Sequence, residues 1–153
     1  DDLILFPGFT NAHCHLELTA LGPLKEHHLV PWIQELLIEK HKLNAEQITN
    51  GIKLGIQKLI HSGVTTVLDH ISFDSPIEAY QNLPIDVVGF GEILGVFEEL
   101  AAKTYETQKE LKQRADFDYH LTPHAIHSVL PKTLKSLFND QPKPFSIHLH
   151  ESL

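Results

Sequence analysis

A chain of 153 residues, 42% hydrophobic and 21% charged, has room for one ordinary core and reads as a globular protein rather than a disordered one. Its formal net charge of −8 argues against a nucleic-acid footprint, which needs clustered Lys and Arg, and its longest apolar runs are too short to span a bilayer. A single cysteine excludes an internal disulfide framework and fits a reducing, cytoplasmic compartment.

Leu3 to Phe6 is a short apolar run closed by Pro7-Gly8, and Phe9 to His15 continues as a strand. Leu21 to Val30 reads as a loop. Pro31 suits a first helical position, and Trp32, Leu36 and Leu37 give a helix reaching about Lys42 an apolar face. Asn44 and Gln47 form a capping-box pattern, after which Ile48, Ile52, Ile56, Leu59 and Ile60 recur at helical spacing until Gly63. Val64 to Leu68 is β-branched and apolar, which predicts a second strand. Ser75-Pro76 opens a short helix to about Gln81, and Ile85 to Glu92 is a third strand. A helix over roughly Phe97 to Gln113, a strand near Phe117 to Thr122, a helix after Pro131 and a fifth strand from Phe145 to His150 complete the pattern.

This strict alternation predicts a parallel sheet with helices on its faces, either a doubly wound open sheet or a (β/α)₈ barrel. No glycine-rich phosphate loop follows any strand, so the nucleotide-binding form of the open sheet lacks its usual sign. The polar, ligand-type residues gather at strand C-terminal ends, where both architectures put their sites.

Twelve histidines equal the Lys and Arg together, and histidine is the commonest side-chain metal ligand. His27, His28 and His41 lie in polar or helical surroundings and read as surface or packing residues. His13 and His15 end the first strand; alternation points them to one face, ~7 Å apart along the chain, close enough to share one cation. Cys14 then points toward the helix layer as a small apolar residue. The second cluster is Ser146-Ile147-His148-Leu149-His150-Glu151, at the end of the fifth strand. An inward His148 and a Glu151 three residues on combine a ligand with a proton carrier, the two groups that metal-activated water needs. His150 shares the inward face with His148 and competes for the ligand role. Thr122-Pro123-His124 ends the fourth strand with an imidazole able to bond a substrate carbonyl or ring nitrogen, and His120 and His127 compete as structural histidines. Asp69, Glu92 and Glu17 fall at or just past strand ends and are candidate pocket residues, although such residues more often pair locally. A non-catalytic βα module with structural histidines is the reading from another class.

Four stretches together resemble the amidohydrolase superfamily: PGFTNAHCHLEL (Pro7 to Leu18), SGVTTVLDH (Ser62 to His70), TPHAIHSV (Thr122 to Val129) and IHLHES (Ile147 to Ser152). They occur in family order, and are similar to the branch that holds cytosine, guanine, adenosine-analogue and aminofutalosine-type deaminases and the triazine chlorohydrolases. The resemblance implies a TIM-type (β/α)₈ barrel, with His13, His15 and His148 as metal ligands, Glu151 as proton shuttle and His124 as a substrate contact. It implies one divalent metal, zinc or iron, that activates water for attack on a purine-like or related nitrogen heterocycle. Release of ammonia is the first expectation; cleavage of a C–Cl or amide bond is the alternative. Binuclear members bridge their metals with a modified lysine on strand four, and Phe117 to His124 contains no lysine, which favours a mononuclear site. The family pattern continues to further ligands on strands six and eight, and a complete barrel takes ~250 residues. Residues 1–153 are therefore expected to be the N-terminal half of such a barrel, inactive alone and a homodimer at full length, with a small heterocyclic substrate and neither nucleic acid nor membrane as partner.

Overall fold

The computed structural model describes residues 3–140 and 144–149. Four strands, β1 (Phe9–Cys14), β2 (Val64–Ile71), β3 (Asp86–Ile93) and β4 (Asp118–Pro123), pair in the order β1-β2-β3-β4. Every pairing is parallel. Strand order therefore follows chain order without the reversal that gives an open sheet its ligand crevice. Between them lie α1 (Leu29–Lys40), α2 (Ala45–His61), α3 (Glu98–Arg114) and α4 (Pro131–Asp140). Turns of 3-10 helix at Leu16–Leu21, Ile77–Tyr80 and Ile126–Ser128 follow β1, β2 and β4.

Local chemistry explains the boundaries. At the start of α2 the Asn44 side chain accepts from Gln47 N–H, and the Gln47 side chain accepts from Asn44 N–H, both at 2.9 Å. Two orphan donors are satisfied at once, as the sequence pattern predicts. Gly63, at φ +83°, turns the chain out of α2 into β2. Helix α1 starts at Leu29, two residues before Pro31, because a proline in the first turn removes only an N–H that has no helical acceptor. The segment after Ser75 makes only a short 3-10 turn.

The expected fifth strand is the main correction. Its described part makes one isolated parallel bridge, His148 to Ala125, in place of a ladder. A side chain supplies the remaining pairing: Ser146 N–H donates to Thr122 Oγ1 at 3.3 Å, and the Thr122 hydroxyl donates to Ser146 O.

Ile52 and Ile56 of α2, Val67 and Ile71 of β2, Ile93, Leu111, Leu121 and Leu137 form the core between the sheet and its helices. Burying each such side chain contributes about 1.5–3 kcal/mol. Cys14 packs against this core from its edge, as strand alternation requires. Gly51 lets α2 approach the turn that follows His15; a Cβ there would lie 2.6 Å from Ala20 N. This close contact seats the end of β1 against a rigid helix.

Candidate metal centre

β1, β2, β3 and the segment beside β4 each deliver a side chain to the C-terminal edge of the sheet. His15 Nε2 and His148 Nε2 face each other at 3.1 Å across 133 residues of sequence. Two nitrogens each ~2.1 Å from one cation in tetrahedral geometry lie about 3.4 Å apart, so the spacing suits a shared ion. His13 joins them, its ring centroid 5.2 Å from that of His15 and 4.9 Å from that of His148. His124 stacks on His148 at 4.7 Å, and its Nδ1 lies 2.8 Å from Ser128 Oγ.

Two further groups complete the cluster. His70, at the end of β2, is fully buried, and its Nδ1 lies 2.9 Å from Glu92 Oε1. His70 Nε2 lies 2.6 Å from Ser146 Oγ. One donor atom each from His15, His70, Glu92 and His148 lies within 4.8 Å of all the others, a set that offers a cation three imidazoles and a carboxylate. Both zinc and iron accept such donors.

Electrostatics keep these groups in ligand-ready forms. Burial, reinforced by the neighbouring His70, His148 and His13, lowers the His15 pKa to about 4 against the opposing pull of Glu92, so the ring is neutral near pH 7. Burial would raise Glu92, but the His70 hydrogen bond and the nearby His124 and His15 outweigh it and hold the carboxyl at about 2. His148 donates from Nδ1 to the His124 carbonyl at 2.9 Å, which fixes the tautomer and turns a bare Nε2 toward His15.

The candidate residues from sequence thus divide. His13, His15, His148, His124 and Glu92 come together at one edge. Glu151 and the competing His150 lie outside the described residues. Glu17 is buried beside the site but accepts from Lys40 Nζ at 2.8 Å and Ser72 Oγ at 2.5 Å, a local ion pair. Burial would depress the Lys40 ammonium, yet Glu17 and Asp74 raise it above its ordinary value.

Asp69 is not among the groups facing the cluster. It points into the helix layer, where its carboxylate accepts from Leu16 N–H at 2.8 Å and from the Tyr80 hydroxyl at 2.7 Å. Its neighbour His70, inside the quoted SGVTTVLDH stretch, takes the inner position instead. The alternation that pairs His13 with His15 finds it: Val67 and Asp69 share the helix-facing side of β2, so His70 falls on the other side.

A run of consecutive parallel β-α units with imidazoles converging at the strand C-termini fits a barrel-type metallohydrolase. The chain belongs to the amidohydrolase family, whose profile matches residues 4–153. It is 29% identical to the 5-methylthioadenosine/S-adenosylhomocysteine deaminase of Aquifex aeolicus, over 97% of this chain and 38% of that one. It superposes on the Helicobacter pylori aminofutalosine deaminase in complex with methylthio-coformycin with a TM-score of 0.78 at 25% identity, covering 95% of this chain and 38% of that one. An adenosine deaminase from Xanthomonas campestris with bound zinc gives a TM-score of 0.78 at 22% identity, over 95% of this chain and 36% of that one. The chain therefore spans under two fifths of these relatives and corresponds to the N-terminal part of their TIM-type barrel.

Proposed function

We propose that this chain is the N-terminal half of a metal-dependent hydrolytic deaminase acting on a purine-like or related nitrogen heterocycle. The observation that carries the reading is the meeting of His15 Nε2 and His148 Nε2 at 3.1 Å, from segments distant in sequence. The names of the relatives, deaminases of adenosine-type and aminofutalosine substrates, supply the substrate class.

In this reading His13, His15 and His148 hold one divalent cation, zinc or iron. When bound, the cation supplies Lewis acidity that makes water a nucleophile near neutral pH. The protein's own groups prepare the rest. The His124 carbonyl orients His148 through Nδ1. The negative charge of Glu92 offsets a cation at the buried edge. His124, whose Nδ1 lies 2.8 Å from Ser128 Oγ, is assigned the contact to a ring atom or oxygen of the substrate. Glu151 is assigned the proton shuttle from its place in the sequence, three residues after His148. Glu17 is kept as a pocket candidate whose carboxylate is held in place by Lys40 and Ser72. The protein works in the cytoplasm as a homodimer at full length, without nucleic-acid or membrane partners; among the described residues no helix is long and apolar enough to cross a membrane.

The decisive assay offers adenosine-type nucleosides, guanine and chlorotriazines to the protein extended through the remaining barrel strands, and follows ammonia and chloride separately. Ammonia release that stops on chelation supports the reading. Chloride release alone overturns the deaminase assignment, and a metal content unchanged in H13A and H15A overturns the metal centre itself.

A further inference from the structure

We propose that His70 is a fourth imidazole ligand of the same cation, with Glu92 as the carboxylate that orients it. The inference rests on the metal reading of the preceding subsection and extends it to a strand whose histidine the three-ligand set leaves out.

His70 is fully buried at the end of β2, with its ring centroid 4.3 Å from His13, 5.3 Å from His15 and 4.8 Å from His148. A buried imidazole needs partners at both nitrogens to offset the loss of water. At Nδ1 the partner is the Glu92 carboxylate, 2.9 Å away and itself almost wholly buried. A carboxylate there fixes the N–H on Nδ1 and leaves the lone pair on Nε2. Metal-binding histidines carry the same outer arrangement, a ring N–H donated to a carboxylate or carbonyl that aims the other nitrogen at the ion. His148 has it through the His124 carbonyl, and His70 has it through Glu92. The Nε2 lone pair of His70 now accepts from the Ser146 hydroxyl at 2.6 Å. A cation taking that lone pair replaces one hydroxyl proton, and Ser146 needs only to rotate about χ1.

One donor atom each of His70, His15, His148 and Glu92 already lies within 4.8 Å of all the others, so His70 sits among the groups that would share a cation. With His70 included, β1, β2 and the segment beside β4 bring His15, His70 and His148 to one cluster, and the His13 ring lies beside them, 4.3 Å from that of His70.

The test loads the chain with zinc, measures affinity by competition with a chromophoric chelator, and counts coordinated imidazoles by X-ray absorption. Four imidazoles are expected in the wild type. H70Q is expected to lose one and to weaken binding at least 10-fold, while E92Q keeps the count but weakens binding 10- to 100-fold. H70Q that binds zinc like the wild type with an unchanged count overturns the inference. The H15A control separates the two readings: if it loses zinc while H70Q does not, only the His70 role falls, and if neither loses zinc the metal centre falls too. Should H70Q fail to fold by circular dichroism, the wild-type count decides, since three or fewer imidazoles is incompatible with a fourth histidine ligand.

Discussion

Asp69 shows how one carboxylate can shape the site without facing it. Its oxygens hold the Leu16 N–H, the amide immediately after His15, and the Tyr80 hydroxyl. Burial, with Glu17 and Glu92 nearby, raises its pKa well above the ordinary carboxylate range against the lowering effect of those two donors. D69A strands two buried donors at once, at about 1–3 kcal/mol each, so it is expected to lower stability by about 2–6 kcal/mol in urea unfolding. Y80F, which removes only one partner, is expected to lose about 1 kcal/mol. A D69A chain as stable as the wild type would show that water reaches both groups. The same residue marks the limit of sequence reading. The shared face of His13 and His15 was legible because strand alternation is local, whereas alternation left His148 and His150 equivalent and the choice of His148 came from the family resemblance. Asp69 and His70 are adjacent, and choosing between them needs the strand's inner face, which its apolar residues reveal: Val67 is in the core, so Asp69 is as well. The pairing of Glu17 with Lys40, 23 residues away, has no local signal, because it depends on how α1 returns over the turn after β1.

Elements whose ends are set by backbone chemistry were readable to within a residue or two. The Asn44 box and Gly63 bracket α2, and Pro131 opens α4. Helix α1 begins earlier than its proline suggests, since the first turn tolerates proline at any of its positions. The segment from Phe145 has strand composition yet makes a single bridge, because Thr122 bonds Ser146 through its side chain where a ladder would use main chain. Packing between elements gives a sharper test. Ala ordinarily favours a helix interior by ~1 kcal/mol over Gly. At Gly51 the added methyl would meet the Ala20 backbone at 2.6 Å and push α2 off the turn carrying Leu16. G51A is therefore expected to be destabilising by about 1–3 kcal/mol, the range for overpacking, and to weaken zinc binding through displacement of His15. A G51A melting temperature above the wild-type value would refute this account of the α2 contact.

At the scale of the whole molecule, apolar surface is the conspicuous feature. Leu3, Ile4, Leu5 and Phe6 are each at least 74% exposed, and α1 buries none of its residues while presenting Val30, Ile33, Leu37 and Ile38 to solvent. Exposed apolar side chains in this number promote association. The chain is expected to bind a hydrophobic dye and to elute from a sizing column above its 17.3 kDa mass, and L5K/L37K to bring it back toward that mass. Elution of the unaltered chain at 17.3 kDa without dye binding would refute the expectation. The parallel order of the sheet was legible from the alternation of elements; the choice of a barrel came from the ordered family stretches, because four consecutive parallel strands are compatible with either closure.

The contact between His15 and His148 also has a thermodynamic side. An ion gripped by both is a staple between the end of the first strand and a segment whose backbone pairs with the sheet through a single bridge. Such a staple binds the native chain and not its denatured form, so free zinc enters the folding equilibrium as a reactant. Excess ion at 100 times its dissociation constant adds about 2.7 kcal/mol. Heat resistance should climb with the logarithm of zinc concentration and collapse in a chelating buffer, and a scanning calorimeter would see the effect with no substrate present.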